Sequence, residues 1–177
     1  GDKNTGDDLY TTLDTRIQKA AYEALGDRKG AVIAIEPDTG RILAMVSKPD
    51  FDPNNIEGVW ASLNESSESV LLNRATQGLY APGSTFKVVT ALEYMREHSD
   101  YQNFSYQCTS TIIKNSNKVS CYHGTAHGRV NLTQAIAKSC NTAFVELGSD
   151  LNRKKFRVLA EDLLFNQKIP VDVASKK

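Results

Sequence analysis

Apolar residues recur along this chain with two periods, and the switches between them mark out its elements. Ile17, Ala21, Ala24 and Leu25 fall on one helical face, with Asp14 placed to cap the first turn and Gly26 to end it. Residues 30–36 are a short, nearly continuous apolar run suited to a buried strand. Pro37, Asp38, Thr39 and Gly40 then make a turn, and 41–47 returns as a second strand, so a hairpin is predicted. Residues 48–55 hold two prolines and two aspartates and read as loop. Weak periodicity over 56–83 predicts short helices mixed with loop. A helix starts at Ser84, behind the breaker Pro82–Gly83, and runs on through Phe86, Val88, Val89, Leu92 and Met95. Two β-leaning stretches flank 114–117 within 106–122 and predict a second hairpin. Residues 131–138, and the stretches from near Asn141 and Asn152, read as helices. Helices around a few antiparallel strands place the chain in the α+β class. No repeat or low-complexity linker divides it, and its length suits one domain.

Composition narrows the function classes. The 177 residues are 40% hydrophobic and 24% charged, ordinary for a globular protein. Lys plus Arg and Asp plus Glu are 21 each, so no basic excess marks a nucleic-acid partner, and none is expected. The run Arg153, Lys154, Lys155 and Arg157 reads as a solvated helix face. No apolar run reaches the ~18–20 residues that span a bilayer, and the polar residues 1–8 contain no signal-peptide core. Cys108, Cys121 and Cys140 form no C-x-x-C pair, which speaks against zinc. Cys108 and Cys121 either bridge across a hairpin or remain free thiols; the sequence leaves both open.

The stretch from Tyr80 to Lys87 carries the most chemistry. Ser84 opens a helix and Lys87 lies three residues on, so both side chains occupy one face. A serine hydroxyl is a weak nucleophile until a base takes its proton, and burial lowers a lysine's pKa enough for the amine to do so. The helix N-terminus favours the developing negative charge, and the Ser84 N–H is a candidate oxyanion donor. Taken alone, S-x-x-K also describes a serine cap followed by a solvated lysine. The second element is Ser139-Cys140-Asn141, between two helical stretches. Such a turn can aim a hydroxyl and a carboxamide into one cleft, Ser139 to relay a proton and Asn141 to hold a substrate amide. The same residues are also common helix caps.

Together these elements resemble the serine penicillin-recognising enzymes, which carry S-x-x-K, S-x-N and K-T-G or K-S-G. The similarity to penicillin-binding proteins extends beyond the motifs. It includes residues 11–18, the strand pair within 30–49, residues 73–80 leading into Ser84, His123–Gly124, and 130–144 around the second motif. It covers nearly the whole chain from about Leu9 onward, and residues 11–18 and 73–80 look most like the monofunctional class B, elongation-type enzymes. The resemblance implies a β-lactamase/transpeptidase-like fold, with 1–177 as the N-terminal part of a penicillin-binding transpeptidase domain and its central sheet incomplete. It implies that Ser84 is acylated by the D-Ala-D-Ala end of a peptidoglycan stem peptide, with Lys87 as base, Ser139 passing the proton to the leaving amine and Asn141 orienting the peptide. β-Lactam antibiotics would acylate the same serine. Neither a metal nor an organic cofactor is implied. The family also implies a membrane-anchored parent, working with other cell-wall synthesis proteins on the extracytoplasmic face of a bacterial membrane.

One departure is large: no Lys-Thr-Gly or Lys-Ser-Gly occurs in the 177 residues. The chain is therefore expected to be truncated before the third motif, with exposed strand edges and impaired activity. Two other functions stay open, a non-catalytic β-lactam sensor and a serine β-lactamase, for which Glu161 is the sole faint candidate deacylation residue. His123 and His127 are four apart, but Gly124 and Gly128 speak against a helix there, and no third ligand type is expected nearby, so no metal site is expected. Trp60 and the tyrosines read as packing residues. Glycosylation sequons at Asn64, Asn103 and Asn131 are set aside, because the implied family is bacterial.

Overall fold

The structure is a computed structural model that describes residues 6 and 8–176; the polar opening stretch at 1–8 lies mostly outside the described residues. Two compact units make up the chain, one reaching to Leu79 and including Pro170–Lys176, the other spanning Tyr80–Ile169.

The first unit is built on the predicted hairpin. Strands β1 (Gly30–Ile35) and β2 (Ile42–Lys48) pair antiparallel, with an irregularity between Ala34 and Ile35. Gly40, at φ 74°, supplies the left-handed residue that closes the turn. Helix α1 (Thr15–Leu25) is capped by the Asp14 carboxylate, which accepts from the N–H groups of Arg16 and Ile17. The apolar face foreseen on α1 is only partly covered, since none of its residues is fully buried. Helices α2 (Ile56–Glu65) and α3 (Arg74–Gln77) complete the unit.

The expectation of open strand edges is corrected on the β2 side. Thr12 Oγ1 donates to the Ile42 carbonyl, and Asp14 N–H donates to that of Leu43. The Gln18 amide meets both the N–H and the C=O of Met45, at 2.8 and 2.9 Å. Backbone groups that would template another strand are thereby satisfied by the chain's own lead-in. β1 keeps a more open aspect, with Ile33 and Ile35 exposed. Trp60 also departs from expectation: its ring is about half exposed on α2 rather than packed, at 52%.

The second unit holds α4 (Lys87–Glu97), β3 (Tyr106–Cys108), β4 (Thr111–Lys114), β5 (Asn117–Ser120), β6 (Gly128–Val130), α5 (Leu132–Ala137), α6 (Asn141–Asp150) and α7 (Arg153–Asp162). β4 and β5 form the second predicted hairpin, closed by Asn115 and Ser116 at φ 50° and 64°. Two left-handed central residues suit the right-handed twist of the flanking strands. The pairing of β3 with β6, which encloses that hairpin, was not foreseen from the sequence. Its core gathers Ala91 of α4, Val130 of β6, Leu132 and Ala135 of α5, and Ala143, Phe144 and Leu147 of α6 around three buried cysteines. Asn131 and Gln134 cap α5 reciprocally. Arg153, Lys154, Lys155 and Arg157 lie on the exposed face of α7, where Arg157 Nε is 2.8 Å from Glu161. With short antiparallel sheets among helices, the α+β assignment stands.

Candidate active site

The helix expected from Ser84 begins differently than predicted. Residues Gly83–Phe86 form a 3₁₀ turn, and α-helical geometry starts only at Lys87. Gly83, at φ 57°, sets up this tight entrance behind Pro82. In a 3₁₀ turn, side chains at i and i+3 eclipse, so the change brings Ser84 and Lys87 into closer register than an α-helix would. The turn is anchored from below, where the Phe86 ring packs edge-on against Phe165 and tilted against Phe156, at 5.1 and 5.8 Å between centroids. The first turn bond runs from Thr85 N–H to the Pro82 carbonyl, so the Ser84 N–H precedes it.

Opposite lies the loop between α5 and α6. Ser139 stands at φ 49°, a left-handed conformation that is costly for a residue with a side chain. That bend turns Ser139 and Asn141 toward Lys87, 52 and 54 residues away in sequence. The Lys87 amine lies 3.2 Å from Ser84 Oγ, 2.8 Å from Ser139 Oγ, 2.8 Å from the Ser139 carbonyl and 2.6 Å from Asn141 Oδ1. Ser139 Oγ donates to Ser84 Oγ at 2.9 Å, closing a triangle of two hydroxyls and one amine. All four residues singled out from the sequence therefore meet at one point of the second unit.

Electrostatics at that point favour a reactive amine. Burial pushes the Lys87 pKa below its ordinary 10.5, while the sulfurs of Cys121 and Cys140 pull it the other way. The Phe144 ring lies beneath, its centroid 5.6 Å from Nζ. Asn141 is held from both ends, its Oδ1 by Lys87 and its Nδ2 by the Ser120 carbonyl at 2.9 Å. One Nδ2 proton remains for a substrate carbonyl.

Ser84, Ser139 and Asn141 line a cleft of about 410 Å³ together with Tyr122, Thr125, His127 and Lys138. Sequence reasoning did not assign the last four to the site, nor the Ser120 carbonyl, since a lone hydroxyl, imidazole or backbone group carries no spacing signal. Glu161 is not among these lining residues and is engaged by Arg157. His123 and His127 do not act as a pair. The reading that His127 has no other ligand type beside it is corrected, because β3–β6 pairing brings Cys108 Sγ to 3.5 Å from His127 Nδ1. Cys108, Cys121 and Cys140 are free thiols.

A serine hydroxyl, a partly desolvated lysine and a second serine in mutual contact are the groups that acyl transfer to a serine with an amine as base would require. The model of the penicillin binding protein transpeptidase domain matches residues 30–177, and the chain belongs to that family. Peptidoglycan D,D-transpeptidase PbpA of Mycolicibacterium smegmatis is 37% identical over 173 residues, covering 88% of this chain and 35% of the relative. Peptidoglycan D,D-transpeptidase MrdA of Acinetobacter baumannii is 35% identical over 188 residues, covering 99% of this chain and 27% of the relative. The chain thus spans between about a quarter and about a third of the length of these curated relatives. Penicillin-binding protein A of Mycobacterium tuberculosis, solved as a penicillin G acyl-enzyme complex, superposes with a TM-score of 0.82 at 33% identity over 93% of this chain and 42% of that one. The resemblance drawn from the sequence is borne out at the level of family and fold.

Proposed function

We propose that this chain is the nucleophile-bearing part of a peptidoglycan D,D-transpeptidase that works through an acyl-Ser84 intermediate. The observation that carries the reading is the contact triangle of Ser84 Oγ, Lys87 Nζ and Ser139 Oγ, with sides of 3.2, 2.8 and 2.9 Å. Neutral Lys87 takes the Ser84 proton as Oγ attacks the penultimate D-Ala carbonyl of a stem peptide. The C–N bond then breaks, and the proton passes through Ser139 to the departing D-Ala amine. An amine from a neighbouring strand attacks the ester, forms the cross-link and frees Ser84. Asn141 fixes Lys87 and offers its remaining N–H to the peptide. A β-lactam presents a similar carbonyl, and the ring-opened product stays joined to Ser84 because its leaving group cannot depart. The substrate places the work outside the cytoplasm, in a parent anchored to the membrane and acting with other cell-wall proteins. Among the described residues no helix is long and apolar enough to cross a membrane.

The Ser84 N–H provides one oxyanion donor. With no Lys-Thr-Gly in the 177 residues, acylation by this chain alone is expected to run ~10²–10³ slower than with a second donor in place. Intact mass after incubation with penicillin G tests the assignment, beside a Ser84→Ala control. The expected result is a gain of one whole penicillin per chain, absent from the control. If no adduct forms, the same measurement moves to a chain extended through the third motif, and a second failure overturns the enzyme reading. Rapid loss of the adduct to water would instead indicate a β-lactamase.

A further inference from the structure

The proposed chemistry gives work to Ser84, Ser139 and Asn141 and leaves the other walls of the cleft without a task. Ser84 takes the reacting carbonyl, and Asn141 holds the peptide amide behind it. Tyr122, His127 and Lys138 line the same cleft and are left to face what the acyl donor carries beyond that amide.

The charge of those walls is one-sided. Among the described residues no aspartate or glutamate lines the cleft, and Lys138 brings its one standing charge. Lys138 caps the end of α5, one residue before the left-handed bend at Ser139. Its amine donates to the His127 carbonyl at 3.3 Å, a bond that ties the side chain to the segment entering β6. Two of the ammonium's three protons stay available to a ligand. Among the described residues it forms no ion pair, although seven such pairs occur elsewhere. The His127 imidazole is engaged on its own account, with Nδ1 3.5 Å from Cys108 Sγ. Two helical starts add partial charge of the same sign, α6 at Asn141 and the turn that leads from Ser84 into α4. A cleft lined by one sign of charge concentrates ligands of the other. Beside the lysine, the Tyr122 ring is 80% exposed and leans on His123, their centroids 3.9 Å apart. A ring so open contributes little to packing and offers its face to an apolar segment of a ligand.

We infer that Lys138 is a specificity-determining residue, selecting acyl donors that carry a carboxylate on the side chain next to the amide held by Asn141. Tyr122 covers the apolar stem of that side chain. The inference rests on the acyl-transfer reading of the cleft and adds the class of donor it prefers. An exposed lysine is ordinarily a solvated one, and an exposed ion pair is weak, so each favourable or unfavourable charge contact is expected to change the acylation rate by about 2–5-fold.

Three penicillins test it, because they share a phenylacetyl side chain and differ at its α carbon. Penicillin G has hydrogen there, carbenicillin a carboxylate and ampicillin an ammonium. The measurement is the rate of adduct formation by intact mass, on whichever form of the chain yields the penicillin G adduct. The readout is the carbenicillin-to-ampicillin ratio, from which the ring carboxylate common to both cancels. Comparing that ratio between variants removes the intrinsic reactivities of the two drugs. Lys138→Glu should lower it at least ~10-fold, since attraction becomes repulsion for one drug and the reverse for the other. Lys138→Ala should fall between, and Lys138→Arg should stay within about twofold of wild type. Salt near 1 M, where the Debye length is about 3 Å, should narrow the wild-type ratio and move that of Lys138→Ala little. A ratio in Lys138→Glu within twofold of wild type overturns the inference, and so does a loss shared equally by all three penicillins, which would mark a structural role in the loop. In both cases the penicillin G adduct leaves the acyl-Ser84 reading standing. No penicillin G adduct, on this chain or on one extended through the third motif, overturns both.

Discussion

Lys87→Ala is expected to slow acylation of Ser84 by roughly 10³-fold, near the middle of the range for loss of a general base. That corresponds to about 4 kcal/mol of barrier. The amine touches both hydroxyls of the triangle and the Asn141 carboxamide, so its removal takes away the proposed proton acceptor and the group that contacts the other three. Lys87→Arg should rescue little, because a guanidinium stays protonated at every working pH and cannot accept the Ser84 proton. The pH profile separates base from spacer. Burial lowers the Lys87 pKa, so the folded chain holds more neutral amine at a given pH than free lysine would. The acylation rate should rise with pH through that lowered pKa and level off before the ordinary 10.5 is reached. A labelled penicillin, followed against time across pH, gives both numbers on whichever form of the chain yields the adduct. A profile flat across that range, with Lys87→Arg as fast as wild type, would assign the base elsewhere.

Phe144→Ala should be the most damaging core substitution, costing about 3–5 kcal/mol in the stability of the second unit. The ring is 7% exposed and packs in the cluster that joins α4, α5 and α6 to the cysteines. It also lies under the Lys87 amine at 5.6 Å, close to the outer limit of a cation–π contact. Phe144→Leu keeps much of the volume and should cost under about 1.5 kcal/mol, while taking away the ring face. Urea unfolding of the two variants measures the difference. Near-equal losses would show that the site collapses around the gap, and that Phe144 does not set the core's packing.

The fold and site were legible where the signal was local. The turn at Pro37–Gly40 between apolar runs fixed the first hairpin, and Asn115–Ser116 marked the second. Ser84 and Lys87 are neighbours because they are three apart on a turn, and a fixed short spacing is what a sequence displays best. The partnership of Ser84 with Ser139 spans 55 residues and was suggested by family resemblance; no spacing rule contains it. The 3₁₀ opening before α4 was missed because helix signals locate a start without giving its pitch. The cysteine–histidine cluster was illegible for a plainer reason. Its members reach one another through the pairing of β3 with β6, two three-residue strands too short to announce themselves. Close pairs are what a sequence displays, and here Cys121 stands 13 residues from Cys108 and 19 from Cys140. Open strand edges were expected because the hairpin looked unaccompanied; nothing in the composition of residues 12–18 revealed that they run along β2.

The left-handed backbone at Ser139 sets the fold and the chemistry in competition for one position. Conformational preference alone favours glycine there, by on the order of 1 kcal/mol. The proposed proton relay needs the Ser139 hydroxyl, which lies 2.9 Å from Ser84 Oγ. Selection for heat resistance without regard to activity should therefore accumulate Ser139→Gly, yielding a sturdier chain that has lost the hydroxyl proposed to relay the proton. Selection for penicillin capture should hold the serine in place and recover the lost stability at sites far from the cleft.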